Sequence, residues 1–349
     1  MFAGVVHAPF DIRYEEMPTP LPKENEVRVK VKYTGICGSD VPRVNGNACH
    51  FFPNVLGHEF SGIVDMIGSS VTSVKPGDRV AGIPLVPCME CEDCRNGNYS
   101  LCKHYSFIGS RQQGSFAEYV TVPEQNVFRF DDDVSYLKGA LFEPSSVALH
   151  GLLCADFCAG KSLIVLGCGM IGLFTIQWGR ILGAAKIAAV NRSRGKLPLA
   201  QRMGAECTVS TLDETYYDSL MQYTDGKGFD YVIDCTGSVE SMKESFRLAA
   251  NKAHICMVGT PKEQISFSVR EWEQMNRKEF LLTGSWMSYS APFPGKEWTM
   301  TADHFHAGDL MLDDQMIDRV IPLSRIREAF ELYQTPGQVK GKILIDSES

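Results

Sequence analysis

The sequence predicts an α/β protein made of a β-rich part and a doubly wound parallel sheet. Three observations predict it. The first 150 residues carry short alternating runs bounded by Gly, Pro and Asp, among them 26–31 (EVRVKV), 62–67 and 117–122. From about residue 147, strand-like runs alternate with helical stretches, which is the pattern of parallel strands joined by crossover helices. A Gly-x-Gly-x-x-Gly turn stands where the first of those strands meets its helix.

Taken in order, 75–80 (KPGDRV) reads as a turn leading into a strand. The later strands are expected at Ser162–Leu166, 187–190, 231–234, 254–258 and 280–284. Helices are expected between them, for example at 172–182 and Val239–Leu248. After Ser285 comes a loop with two prolines and Gly295, then helix signals at 323–333 and a last strand at 342–345. No internal repeat or low-complexity tract is evident.

Composition narrows the function. A chain of 349 residues suggests two domains, and 44% hydrophobic with 22% charged residues fits a globular protein. The net charge of −8 argues against nucleic-acid partners, which call for a basic footprint, and against anionic membrane surfaces. Residues 162–179 carry no charge over the lower limit for a membrane span. The three glycines of a phosphate-loop pattern, Gly167, Gly169 and Gly172, divide them into strand, turn and buried helix instead. The first ten residues lack the basic start of a signal peptide, so the cytoplasm is the expected location. Twelve cysteines in such a chain read as metal ligands and buried thiols, not as a disulfide framework.

Residues 163–172 (LIVLGCGMIG) place the glycine turn after an apolar strand and at the start of a helix. Gly167 permits the tight turn, Gly169 lets backbone approach a pyrophosphate, and Gly172 lets helix and strand pack closely. With Met170 and Ile171 they open a helix whose free N–H groups suit phosphate. The pattern predicts the dinucleotide site of a Rossmann domain, the alternative being a glycine-rich turn in an unrelated α/β domain. The next strand ends at Asn191, where an NAD enzyme usually carries an acid for the ribose 2′-hydroxyl. Arg192, Arg194 and Lys196 follow and could pair with a 2′-phosphate, so NADP(H) is favoured over NAD(H). The alternative is a solvated helix start, with Asn191 binding the ribose hydroxyl.

Cys88, Cys91, Cys94 and Cys102 are spaced C-x2-C-x2-C-x7-C among Glu90, Glu92, Asp93, Asn96 and Gly97. Four thiolates close a tetrahedral shell and suit a structural zinc in an exposed lobe; an iron–sulfur cluster is the competing metal. Cys37 lies in 35–40 (GICGSD), His58 and Glu59 in 57–62 (GHEFSG), and Glu143 in a Phe-Glu-Pro run. Singly, these read as a buried thiol, a core histidine and two surface acids.

Together, and in this order, these segments resemble the zinc-dependent medium-chain alcohol and polyol dehydrogenases. Residues 75–80, 114–119 and 341–345 (GKILI) extend the likeness over nearly the whole chain. The 57–62 segment with its Glu-Pro pair is similar to the sorbitol and threonine dehydrogenase branch. Residues 45–52 (NGNACHFF), 107–111 (FIGSR) and 284–298 (GSWMSYSAPFPGKEW) are similar to the galactitol-1-phosphate 5-dehydrogenase branch. The resemblance implies a GroES-like catalytic domain over 1–146 and 287–349, with a structural zinc lobe at 86–104. It also implies a Rossmann domain over 147–286, an active site in the cleft between the two, and a homodimer or homotetramer. The branch commonly carries an acid where Asn191 stands, so its NAD preference need not transfer.

By the same resemblance each chain holds two zinc ions, and the second is catalytic. Cys37 and His58 are its ligands, while Glu59 and Glu143 compete for the remaining protein position or exchange with water. The substrate is a polyol or polyol phosphate like galactitol 1-phosphate, oxidised at a secondary hydroxyl. Free polyols and amino alcohols are the alternatives. Ser39 is the candidate to pass the proton outward, with His50 as a later station; a turn hydroxyl and a loop histidine are their ordinary readings. Arg43 and Arg111 are nominated for a phosphate, against surface or ion-pair roles, and Trp286 and Tyr289 for the cleft or for packing. Two other classes compete. A nonenzymatic zinc protein is opposed by the acidic charge and by the Cys37/His58 set. A metal-free quinone or enone reductase usually lacks the Cys, His and Glu set.

Overall fold

The computed structural model describes residues 1–349. Their contacts divide into two units. One comprises Met1–Glu143, Tyr289–Gly308 and Leu312–Ser349, the other Pro144–Ser288 and Asp309–Met311. The chain thus divides three residues before the expected 146/147 boundary and two after the expected 286/287 boundary.

In the first unit, the Glu26–Gly35 strand anchors a seven-stranded sheet. Its valines at 27, 29 and 31 alternate inward with the charged and polar residues between them, as a period of two requires. They pack with Phe60, Val64, Val80, Val120 and Val122. A three-stranded sheet of Asp11–Glu16, Phe2–Ala8 and Asn54–Val55 covers a second core around Val5, Ile36, Leu56, Phe116 and Phe330. Register places the site. Gly35 pairs with Glu59 on one neighbouring strand and with Leu344 on the other. The chain segments carrying Cys37, His58–Glu59 and Lys342 therefore meet at one corner. A side chain at Gly35 would put its Cβ 2.3 Å from Glu59 Oε2, so only glycine leaves room for that carboxylate.

The second unit is a six-stranded parallel sheet ordered Cys207–Ser210, Lys186–Asn191, Ser162–Leu166, Phe229–Asp234, Ala249–Met257 and Leu281–Gly284. In chain order that is 3-2-1-4-5-6, the doubly wound arrangement with its switch point between the first and fourth strands. The sequence gives five of these strands some mark of their own. Cys207–Ser210 lacks one because its four residues (CTVS) carry only one large aliphatic side chain, Val209. The helix Lys296–Ala307 and the strand Ile317–Pro322 also depart from expectation. The helix buries Trp298, Thr301 and Phe305 on one face, and the polar threonine interrupts its apolar stripe. The expected helix at 323–333 breaks into short helical pieces around Ile326–Glu331. Residues 162–179 form the strand Ser162–Leu166, a turn and most of the helix Met170–Ile181. No helix is long and apolar enough to cross a membrane.

The approach of that helix to its strand is the tightest backbone contact of the second unit: a Cβ on Gly172 would lie 1.8 Å from the Gly167 carbonyl oxygen. Gly172→Ala should cost about 3 kcal/mol by overpacking. Urea unfolding followed by tryptophan fluorescence would show it, and an unchanged midpoint would mean that the turn yields freely.

Candidate active site

The glycine turn has the conformation its sequence demands. Gly167 is left-handed at φ 97°. Gly169 precedes the helix Met170–Ile181, and a Cβ there would meet nothing within 4 Å, so the backbone faces open space. Six of the predicted residues need separate placement. Met170 and Ile171 form the first turn of the helix. Asn191 is turned back onto the loop: its Oδ1 accepts from Cys168 N at 3.0 Å, and its Nδ2 donates to Ser193 O at 3.0 Å. Arg194 is held by Asp213 through Nε at 2.9 Å and Nη2 at 2.6 Å. Arg192 and Lys196 make no such pair, which leaves two of the three expected cations free.

The four cysteines of the lobe converge, with all four sulfurs within 4.8 Å of one another. Cys88 Sγ lies 3.5 Å from Cys102 Sγ and 4.0 Å from Cys94 Sγ. All four are free thiols. A tetrahedral ZnS4 centre with ~2.3 Å bonds has sulfur–sulfur edges of about 3.8 Å, so the group fits such an ion. The backbone is arranged for thiolates. Cys91 N donates to Cys88 Sγ at 3.4 Å, and Cys88 N donates to Cys102 Sγ at 3.4 Å. The N–H of Cys94 is the main cause that brings the Cys91 thiol down to about 6. Burial instead pushes Cys94 up to about 12, so an ion is needed to hold all four as thiolates.

Cys37, His58 and Glu59 form the second group, also within 4.8 Å. His58 is buried, with Nδ1 3.4 Å from Asp40 Oδ1. Asp40, itself fully buried, also accepts from Cys37 N at 3.1 Å. Burial opposes a charge on His58, yet Asp40 and Cys37 beside it raise its proton affinity well above that of ordinary imidazole. A thiol, an imidazole and a carboxylate gathered within 4.8 Å have the donor chemistry of a zinc site. Glu59 is not idle there: Lys342 Nζ donates to both its oxygens, at 2.8 and 2.6 Å, and to Ile36 O at 3.1 Å. Glu143, at the start of the helix Phe142–Cys154, stands outside the 4.8 Å group and makes no hydrogen bond. Burial and then the charge of Glu59 raise its carboxyl to about 7, while His58 and Lys342 pull the other way. It therefore shares the same electrostatic pocket. Ser39 Oγ donates to Cys37 Sγ at 3.3 Å and accepts from Arg43 Nη1 at 2.9 Å.

Residues 23–132 match the alcohol dehydrogenase GroES-like domain family, and residues 171–302 match the zinc-binding dehydrogenase family. The galactitol 1-phosphate 5-dehydrogenase of Escherichia coli (strain K12) is 38% identical over 288 residues, 82% of this chain and 83% of that one. The chain belongs to the zinc-dependent medium-chain alcohol and polyol dehydrogenases. A crystal structure of galactitol-1-phosphate dehydrogenase from Escherichia coli matches this dehydrogenase with a TM-score of 0.95 at 34% identity, covering 99% of this chain and 100% of that one. A zinc-binding dehydrogenase from Sinorhizobium meliloti 1021, bound to NADP, matches with a TM-score of 0.89 at 30% identity, covering 99% of each chain.

Two residues of this dehydrogenase's site carry no role in the sequence reading. Lys342 is buried at the head of the apolar strand Lys342–Asp346, and a lone lysine in such a strand is the signal that marks it. Asp40 follows Cys37 by three residues and braces both Cys37 and His58. Tyr289 proves to be a packing residue of the first unit: its hydroxyl accepts from Leu85 N at 3.2 Å, and its ring stacks on Phe293 and Trp298. Trp286 is half exposed.

Replacing Lys342 by Met should strand the buried Glu59 charge. In chelator-treated protein the expected loss is about 3–5 kcal/mol by urea unfolding, with part of it recovered on zinc loading. A loss below about 1 kcal/mol would mean that water reaches Glu59.

Proposed function

We propose that this dehydrogenase exchanges hydride between a secondary hydroxyl of a polyol phosphate, galactitol 1-phosphate or a close analogue, and NADP(H), with one catalytic and one structural zinc per chain. The convergence of Cys37, His58 and Glu59, with Glu143 in the same buried pocket, carries the reading. The relative that handles galactitol 1-phosphate supports the substrate class.

Zinc held by Cys37 and His58 would supply Lewis acidity and draw a bound hydroxyl's pKa toward neutrality. The chain's own groups prepare that site. Asp40 Oδ1 lies 3.4 Å from His58 Nδ1 and would accept from that nitrogen when the ring ligates zinc. Lys342 occupies both oxygens of Glu59, whereas the Glu143 carboxyl is unengaged. To join the metal's shell Glu59 would have to release its lysine, and Glu143, outside the 4.8 Å group, would have to move in. Ser39 Oγ, next to Cys37 Sγ, is the hydroxyl placed to receive the substrate's proton. His50 makes no direct bond to it, so water would have to link the two.

Free Arg192 and Lys196 beyond Asn191 support NADP(H), and so does the NADP-bound neighbour. A homo-oligomer is also proposed. The parallel sheet ends at Leu281–Gly284, where Leu281 and Leu282 stand exposed, and a second copy pairing along that edge would cover them. The cytoplasm is the proposed location.

Metal analysis should find about two zinc ions per chain, with Cys37→Ala retaining about one and losing activity. Equal loss of both metals in that variant would contradict two independent sites. A screen of polyols with and without a terminal phosphate, read as cofactor reduction, tests the substrate. In the same assay kcat/KM should favour NADP, and a preference for NAD of about tenfold or more would overturn the cofactor assignment.

A further inference from the structure

Beside the metal-ligand corner, three side chains from different segments share one electrostatic neighbourhood. Arg43 is mostly buried and uses Nη1 alone for its bonds, to Ser39 O at 3.1 Å, Ser39 Oγ at 2.9 Å and, marginally, Asp40 Oδ1 at 3.5 Å. Its Nε and Nη2 remain free. One hydroxyl, that of Ser39, separates it from Cys37 Sγ. Arg111 has no carboxylate partner. Its guanidinium lies over the Tyr105 ring, 4.5 Å from the centroid, and Nη2 donates to the Tyr105 hydroxyl at 3.3 Å.

The Arg111 turn is tied to the site from two sides. Arg111 N donates to Phe107 O at 2.9 Å, and the Phe107 ring meets His58 edge-on at 5.4 Å. Ser110 O accepts from Asn54 Nδ2 at 3.2 Å, which fastens the turn to the segment following His50. His50 feels both arginines: burial first, then Arg111 and Arg43, lower its proton affinity. Two guanidiniums near a histidine in a chain of net charge −8 concentrate positive potential at one spot. Stacking on Tyr105 fixes the plane of Arg111 and limits the entropy it loses on pairing with an anion.

We infer that Arg43, His50 and Arg111 form a phosphate-monoester subsite that grips the terminal phosphate of the substrate while its hydroxyl end reaches the Cys37–His58 corner. The arginines supply charge-assisted, fork-shaped donors and neutral His50 a further N–H. The subsite rests on the polyol-phosphate reading, and it determines specificity within it.

Zinc-loaded enzyme with Arg111→Ala and Arg111→Lys tests the inference, using galactitol 1-phosphate and galactitol as probes. Calorimetric binding and kcat/KM should both favour the phosphate ester in the unaltered enzyme. Arg111→Ala should lower kcat/KM for the ester about 30-fold while moving that for the free polyol, and the KM for the dinucleotide, less than about threefold; Arg111→Lys should restore part of the loss. Zinc content and thermal midpoint verify that the variants fold. Equal losses on both probes, or binding of the ester unaffected by Arg111→Ala, overturn the subsite. A phosphate preference in binding that depends on Arg111, without turnover of either probe, keeps the subsite and removes the proposed reaction instead. Turnover of galactitol with no preference for its phosphate does the reverse.

Discussion

The corner where Cys37, His58 and Glu59 meet depends on one buried ion pair. Lys342 reaches across from the last strand and spends its three N–H bonds on Glu59 and Ile36. Without it, Glu59 would be a buried charge with no cationic partner, beside the further acids Glu143 and Asp40. The pair also ties the chain's end to its beginning: residues 36, 59 and 342 are distant in sequence and adjacent only through the register at Gly35. Sheet pairing, the space at Gly35 and the charge balance of the site are thus a single constraint seen at three scales.

The two metal-binding groups place opposite demands on the chain. The lobe cysteines lie within fifteen residues, and a short helix with turn N–H groups is enough to gather them. Their job is closed coordination, so local geometry suffices. Cys37, His58–Glu59 and Glu143 come from separate segments, and on the proposed reading they would leave a position open for substrate. That openness requires scaffolding from elsewhere, which Asp40, Lys342 and the Phe107 turn provide.

Legibility in the sequence follows the same division. The phosphate loop and the cysteine lobe could be read directly, because each is a short pattern whose spacing encodes its geometry. The inner parallel strands were readable because burial on both faces makes them continuous apolar runs. Cys207–Ser210 was not, since its four residues (CTVS) hold a single large aliphatic side chain, Val209, between two hydroxyl residues. Cys37, His58 and the two glutamates gained meaning only in combination, through family resemblance. Lys342 stood in a quoted segment without a role, because what makes it matter is a partner 283 residues away. The pairing of Arg194 with Asp213 was equally invisible, and it removes one of the cations that the run after Asn191 seemed to offer.

Asn191 shows how closely coenzyme choice and loop construction are joined. Its amide serves as a strut, accepting from one end of the glycine turn and donating to the far side of the next bend. An aspartate at this position would keep the acceptor for Cys168 N but would face the Ser193 carbonyl with a second oxygen, turning an attraction into a repulsion. Placing a ribose-binding carboxylate at this position is therefore a two-part redesign: it needs a replacement donor for the Ser193 carbonyl before it can be spared for a sugar hydroxyl.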